Sequence, residues 1–393
     1  MADMMAENAV KDRFIGRDIE AHVLRRLEAD DRIILLFGAR RVGKTTLVRH
    51  IMSSKAWKCL ELTGDDLSTV TALSSRDGTR LRGLAGGYEL LFLDEAQRIP
   101  EVGLGLKLLH DSMPGLRIIA TGSSSLDLAS HTREALTGRA WSFTLPAFSQ
   151  HELFNADGRL ELERQLERTL VFGSYPEAWA MAGDADRAAF LRELHASYLF
   201  KDILEVGGIR QPRKIVDLLK LLAFQVGSEV SFHELGTSLG MSKDTVASYI
   251  DLLEKSFIVF RLQAFSRNLR SEVTRSSKIY FNDNGVRNAA MGDFRTFDDR
   301  PDQGALWENF VVSERRKRLS ALESGASSYF WRLSTGAEID YVEESNGRLE
   351  GWEIKLSPAA KARVPGSWAE TYPGSSWAKV DRSNYLEFVA GQD

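Results

Sequence analysis

A chain of 393 residues is too long for one compact core, so two to four domains are expected. Its composition, 43% hydrophobic and 27% charged, is ordinary for a globular protein, and the single cysteine, Cys59, excludes an intrachain disulfide and a cysteine-built zinc site. The net charge of −4 requires any nucleic-acid contact to come from a local basic patch. No apolar run reaches the roughly 20 residues of a membrane span. The N-terminal "MADMMAENAVKDRF" lacks the basic-then-apolar order of a signal peptide, so the chain reads as cytoplasmic, with no membrane partner.

The first chemical signal is "RIILLFGARRVGKTTLVRHIM". Ile33–Phe37 is an apolar run of strand length, and Lys44-Thr45-Thr46 opens an amphipathic helix. Between them lie Gly38, Ala39, Arg40, Arg41, Val42 and Gly43, which completes GxxxxGK[ST] in a strand–loop–helix context. The glycines let backbone N–H groups curl around phosphate oxygens, and the helix N-terminus adds its positive dipole end. Lys44 is expected at the β- and γ-phosphates of ATP, and Thr45 on Mg2+.

Next, "YELLFLDEAQ" reads as a strand buried on both faces, ending in Asp94 and Glu95. Asp94 is expected to hold Mg2+ through water, and Glu95 to polarise the attacking water. "LRIIATGSSS" gives a third buried strand ending in Thr121, Ser123 and Ser124. In P-loop ATPases with a catalytic glutamate a polar residue here senses the γ-phosphate, and the spacing leaves open which one. Further strands are expected at Lys58–Leu62 and Trp141–Leu145, giving a doubly wound parallel α/β sheet with its ligand at the strand C-termini.

These motifs resemble the AAA-type ATPase domain of a large family of prokaryotic ATPases with a C-terminal domain of formerly unknown function, DUF4143. "FIGRDIEAHVLRRL" is similar to that superfamily's lead-in, which implies Arg17 near the adenine. "LTGRAWSFTLPAFSQHELF" is similar to a second family segment, which implies Arg139 as a transition-state arginine, in cis or from a neighbouring chain. "VFGSYPEAW" resembles a GGxPE stretch with Ser174 in place of the second glycine; Pro176 either touches the nucleotide or is an ordinary helix-entry proline. The resemblance leaves monomer, dimer and ring open, so a homo-oligomer is within its range.

The ATPase core is assigned to residues 1–150. Helical periodicity at 151–225 reads as a lid, and "YLFKDILEVGG" again resembles the family. Residues 226–290 read as a winged helix: helices at Phe232–Leu239 and about Lys243–Lys255, a turn at 240–242 with Ser242 as N-cap, and wing strands at Phe257–Leu262 and Lys278–Phe281. Lys243, Thr245 and Ser248 would face DNA, with Arg261, Arg267 and Arg270 among six basic residues between Lys255 and Lys278.

Residues 291–393 form the last unit. "GALWENFVVSERRKRLSAL" is a helix carrying Glu308, followed by three strands in "SSYFWRLS", "AEIDYVEE" and "EGWEIKLS". Alternation puts Glu353 and Lys355 on one face, and a hairpin brings Asp340 opposite. Helix then three strands, with an acid followed by E-x-K, resembles the restriction-endonuclease-like, PD-(D/E)XK, fold. Glu308, Asp340 and Glu353 would then hold Mg2+ or Mn2+, with Lys355 steering a water. "RRKR" (315–318) either guides phosphates or is the wet face of its helix. After Pro358 one more helix and strand are expected.

Overall fold

The computed structural model describes residues 13–123, 135–198, 211–266 and 277–391. Ser124, Arg267, Arg270 and nearly all of "YLFKDILEVGG" lie outside the described residues.

Helices and strands alternate through the first part of the chain. The order is α1 (Glu20–Ala29), β1 (Ile33–Phe37), α2 (Lys44–Ser54), β2 (Cys59–Thr63), α3 (Leu67–Leu73), α4 (Gly78–Ala85), β3 (Leu90–Asp94), α5 (Val102–Ser112), β4 (Arg117–Gly122) and β5 (Ala140–Thr144). All strand pairs are parallel, in the order β2-β3-β4-β1-β5. Every residue of β1 is buried, and β3 is buried up to Asp94, which is why both read as unbroken apolar runs. Alternation splits their side chains: Ile34 and Leu36 pack with α1 and α2, whereas Ile33, Leu35 and Phe37 pack with α5. Because β4 lies between β1 and β3, its C-terminal end sits between the loop after β1 and Asp94.

A helical layer follows: α6 (Gln150–Phe172), α7 (Pro176–Ala180), α8 (Asp184–Tyr198) and α9 (Pro212–Phe224). Ser149 and Glu152 close a reciprocal capping box at the start of α6. Then come β6 (Glu229–Val230), α10 (Phe232–Leu239), α11 (Lys243–Lys255), β7 (Val259–Ala264) and β8 (Ser277–Phe281). Ser242 caps α11 by accepting from the Thr245 N–H, and Val246, Ile250, Leu252 and Leu253 are buried as the periodicity required.

The chain ends with α12 (Asn284–Met291), α13 (Gln303–Ala321), β9 (Ser327–Arg332), β10 (Glu338–Ser345), β11 (Arg348–Ile354), α14 (Gly366–Thr371), β12 (Ser376–Val380) and α15 (Tyr385–Ala390). A mixed seven-stranded sheet has the order β12-β11-β10-β9-β7-β8-β6. β7 and β8 pair antiparallel, as a wing would, but β7 also pairs in parallel with β9 through Gln263↔Tyr329 and Ala264↔Phe330. One sheet therefore crosses the expected boundary at 290/291. The apolar core is equally continuous, running from α1 and α2 through α6, α8 and α9 to α13 and α15.

Backbone packing is tight where α12 meets α6. A Cβ on Gly285 would lie 2.2 Å from the Phe172 carbonyl oxygen, whereas a Cβ on Gly304 in α13 meets nothing within 4 Å. Gly285→Ala should therefore cost about 1–3 kcal/mol through overpacking. Gly304→Ala should be neutral or add about 0.5–1 kcal/mol. The thermal melt of Gly285→Ala should fall while that of Gly304→Ala stays or rises; equal shifts would contradict this packing.

Candidate nucleotide site and a second charged face

The loop after β1 is built by close approach. A Cβ on Gly38 would fall 2.2 Å from the Leu145 carbonyl oxygen, so only glycine fits, and Gly43 enters α2 at φ 95°. Ala39 and Val42 anchor the loop in the core, Arg40 is half-buried, and Arg41 adopts φ 60°. Lys44 is buried, and its ammonium donates to the Gly38 and Ala39 carbonyls, both at 2.8 Å. Those bonds hold the lysine across the mouth of the loop it is expected to serve.

Opposite Lys44 a chain of oxygen atoms runs along the strand ends. Thr45 Oγ1 donates to Asp94 Oδ2 at 2.8 Å, and Thr121 Oγ1 donates to Asp94 Oδ1. The Glu95 N–H reaches Thr121 Oγ1 at 3.3 Å. Glu95 has φ 51° and ψ 41°, a left-handed conformation that costs a non-glycine residue about 1–2 kcal/mol. Gln97 Nε2 donates to Glu95 Oε2 at 2.6 Å and to Ser123 Oγ at 2.9 Å. Of the three polar residues left open by spacing, the two that are described have different partners: Thr121 holds Asp94, and Ser123 is tied to Glu95 through Gln97. Gln97 was not singled out beforehand. Its only sequence signal is its place two residues beyond Glu95 in "DEAQ".

Beside the loop lies a cavity of about 630 Å³, bordered by Gly43 and Thr46 and walled by Phe14, Ile15, Phe148, Trp179 and Met181. Its apolar walls and size suit a nucleoside base. Pro176 is the first residue of α7, as a helix-entry proline is, and it also lines this cavity. With the looped backbone, the lysine and the paired Thr45 and Asp94 oxygens, this donor set fits a magnesium nucleoside triphosphate.

The two arginines implied by the resemblance are placed differently. Arg17 borders the cavity, and each of its guanidinium nitrogens donates: Nε to Glu152 (3.0 Å), Nη1 to the Val42 carbonyl (2.8 Å) and Nη2 to the Pro146 carbonyl (2.6 Å). It braces the loop from behind. Arg139 precedes β5, where its carbonyl accepts from the Ile33 N–H at the start of β1. The loop follows the opposite end of β1, about 15 Å away for five strand residues. Arg139 pairs there with Asp111 at 2.9 Å and cannot reach the phosphates of its own chain.

The second charged face lies on β8, β10, β11 and α13. Asp340 and Glu353 are neighbours across the β10–β11 hairpin, as read from the sequence, and Asp340 accepts from the Ile354 N–H at 2.8 Å. Two lysines compensate the acids. Lys355 lies 2.6 Å from Glu353 and 3.6 Å from Asp340, and Lys278 lies 2.6 Å from Glu338 and 3.6 Å from Glu308. Tyr280 donates to Glu308 at 2.6 Å. Burial pushes the Glu308 carboxyl above its ordinary range against the pull of Lys278, and burial with the neighbouring Asp340 does the same to Glu353. Burial opposes the charge on Lys278, but Glu308 and Glu338 outweigh it and hold the ammonium above the usual lysine range.

The expected metal centre is not gathered here: among the described residues no three His, Cys, Asp or Glu side chains converge as a metal-binding group. The physical reason is that each acid is already engaged by a lysine, a tyrosine or a backbone N–H. Lys278, counted with the wing's basic residues, is buried in this network. Arg261 is likewise tied, to Asp251 and to Glu254 at 2.8 Å. Lys243 and Ser248 are exposed on α11 and Thr245 is half-buried. In "RRKR" only Arg316 is exposed, so the run as a whole is not a wet face. Arg315 grips Glu343 through two bonds of 2.6 and 2.9 Å, and Lys317 and Arg318 are buried.

Lys278→Met would leave Glu308 and Glu338 without their shared cation, at a cost of about 3 kcal/mol near neutral pH. The folded-state pKa of Glu308 lies above its unfolded value, so the folded chain favours the neutral acid, and losing Lys278 strengthens that preference. The loss should therefore shrink as pH falls from 7 towards 5. Urea titrations of both proteins across that range check the sign; a pH-independent difference would contradict it.

Comparison with known proteins agrees with this layout. Residues 30–154 match the model of an AAA domain, residues 163–296 a domain of unknown function (DUF8612), and residues 303–376 the domain of unknown function DUF4143. The chain is 31% identical over 348 residues to the uncharacterized protein Rv2008c of Mycobacterium tuberculosis, covering 86% of this chain and 73% of that protein. It is 24% identical over 332 residues to the uncharacterized protein MJ1544 of Methanocaldococcus jannaschii, covering 79% and 71%. Among solved structures, the Walker-type ATPase PABY2304 of Pyrococcus abyssi superposes with a TM-score of 0.51 at 18% identity, over 70% of this chain and 96% of that one, a likeness of fold. The chain belongs to the family of the mycobacterial protein Rv2008c, and in it an AAA-type P-loop ATPase domain precedes a C-terminal DUF4143 domain.

Proposed function

We propose that the chain is a Mg2+-dependent ATPase whose nucleotide state is transmitted to its C-terminal region. The observation that carries this reading is the row Thr45–Asp94–Thr121–Glu95, aligned beside Lys44 at the strand ends and next to the base-sized cavity. Lys44 and the N–H groups of the loop bind the β- and γ-phosphates, with Arg40 and Arg41 at its rim. Thr45 and Asp94 hold magnesium, which when bound neutralises phosphate charge. Glu95 takes a proton from the attacking water. Pro176, Thr46 and the aromatic walls seat the base. Transmission has a physical route. Lys317 on α13 donates to the Phe148 carbonyl at 2.9 Å and to Ser174 Oγ at 3.2 Å, directly behind the base cavity, and Glu308 on the same helix faces the second charged site.

A second reading makes DNA the object of this cycle. It is favoured by exposed Lys243 and Ser248 on the first turns of α11, and by the order α13-β9-β10-β11-α14-β12, which is that of a restriction-endonuclease-like core. Asp340, Glu353 and Lys355 would then act on phosphates with Mg2+ or Mn2+. The compensating lysines and the tied Arg261 weigh against cleavage, so binding without cutting is the form of this reading that the geometry supports better. Arg139, half-buried at the far end of the sheet, would serve a neighbouring chain only in a homo-oligomer.

Lys44→Ala should reduce ATP turnover to background. Glu95→Gln should retain nucleotide and lose roughly 10²–10⁴-fold in turnover. Activity unchanged in both would remove the ATPase reading. Duplex and single-stranded DNA should stimulate turnover if DNA is the object; DNA-insensitive turnover leaves the switch alone. Cleavage with Mn2+ that disappears in Asp340→Ala would establish a working second site.

A further inference from the structure

We infer that Gln97 is a positioning residue for hydrolysis, linking the sensing strand β4 to Glu95; this rests on the ATPase reading above. Three observations converge on it. Its amide nitrogen donates both to Glu95 Oε2 at 2.6 Å and to Ser123 Oγ at 2.9 Å, joining the ends of β3 and β4 across the place where a γ-phosphate would lie. Its carbonyl oxygen, Oε1, is buried, and no donor among the described residues reaches it. Glu95 itself stands in a left-handed conformation that only surrounding contacts can maintain, and Gln97 supplies a bond that fixes its carboxylate.

A buried acceptor without a donor is uncommon in a native fold and points to a partner that arrives with the ligand. The partner that fits is the attacking water, which has two hydrogens to place. One is taken by Glu95 through Oε1, since Gln97 holds Oε2. The other is donated as a hydrogen bond to Gln97 Oε1. The water oxygen bonds to the γ-phosphorus, the bond from that phosphorus to the β,γ-bridging oxygen breaks with its electron pair going to ADP, and Glu95 carries the proton the water loses. Ser123, at the end of β4, anchors the amide. A shift of Ser123 on meeting the γ-phosphate therefore moves Gln97 and, through it, the carboxylate.

The test uses the full-length chain with Gln97→Met, which keeps length and removes both polar atoms, and Gln97→Glu, which replaces the donor with a second carboxylate. Binding of a slowly hydrolysed ATP analogue should change by less than about threefold, while kcat falls about 10- to 100-fold. A loss confined to kcat, with analogue binding kept, is what separates a positioning role from a merely structural one, because a misfolded site would lose both. Ser123→Ala should lower kcat in the same way but by less, with analogue binding kept, and it remains informative if a Gln97 variant fails to fold. Wild-type kcat in the variants, or a loss of analogue binding equal to the loss of kcat, would overturn the inference. If the wild-type chain itself turns over no ATP, the ATPase reading fails and the inference falls with it.

Discussion

The placement of Lys317 is the constraint on which the rest of the architecture turns. A buried ammonium needs partners for its protons, and this one finds them on the Phe148 carbonyl, on Ser174 Oγ and on Glu314 at 2.6 Å. Glu314 is itself buried and accepts from the Gln150 N–H at 2.7 Å. Burial lifts the Glu314 carboxyl above its ordinary range, and Lys317 pulls it back. Asp283, also buried, accepts from the Ser174 N–H at 2.8 Å and caps α12. The pair is satisfied only when the start of α6, the segment before Pro176 and α13 are all in place. The helix that opens the C-terminal domain is therefore a structural part of the nucleotide-binding half. Glu308 and Lys317 are nine residues apart on that helix, about 14 Å, so a rigid rod joins the back of the base cavity to the second charged face.

That second face shows the same logic with the opposite outcome. Four carboxylates, Glu308, Glu338, Asp340 and Glu353, share a sheet surface with Lys278 and Lys355. In a site dedicated to a divalent cation, the ion would supply the positive charge. Here the chain supplies it, and Lys278 comes from β8, on the far side of β7 and β9 from β10. The compensation depends on the β7–β9 ladder, since only that pairing brings β8 into the same sheet as β10 and β11. Sheet continuity and charge balance are thus one feature.

Local pattern made the nucleotide half legible and left its braces invisible. The buried strands β1, β3 and β4, the loop from Gly38 to Lys44, and the Asp94-Glu95 pair are contiguous words in the sequence, because phosphate binding at a strand–helix turn needs its residues at fixed spacing. The α10–α11 turn and the three strands after α13 were legible for the same reason. Arg17 and Glu152 were visible only as separate fragments of two resembling segments; their 3.0 Å bond spans 135 residues and has no local signature. "RRKR" misleads because a charge run looks solvated until its partners, Glu343 and Glu314 among them, are known. Lys278 misleads because a basic residue at a strand edge looks like wing chemistry until that strand is placed three positions from β10. Each failure concerns a pairing at long range, which periodicity does not encode.

The energetics of the loop's two sides are unequal. Behind it, Arg17 and Glu152 form a buried ion pair that also holds the Val42 and Pro146 carbonyls and the Asp18 N–H. Breaking such a pair costs about 3–5 kcal/mol, because the remaining charge stays buried. In front, Arg41 meets Glu177 at 3.7 Å and Glu193 at 3.3 Å, with all three side chains well exposed to solvent. Pairs of that kind contribute about 0–1 kcal/mol and weaken with salt. Phosphate oxygens arriving at the loop compete with those two carboxylates for Arg41 at little cost, whereas nothing at the front can displace Glu152 from Arg17. The strong pairing thus lies behind the loop, on α6, and the weak, salt-sensitive pairing in front of it, on Glu177 of α7 and Glu193 of α8.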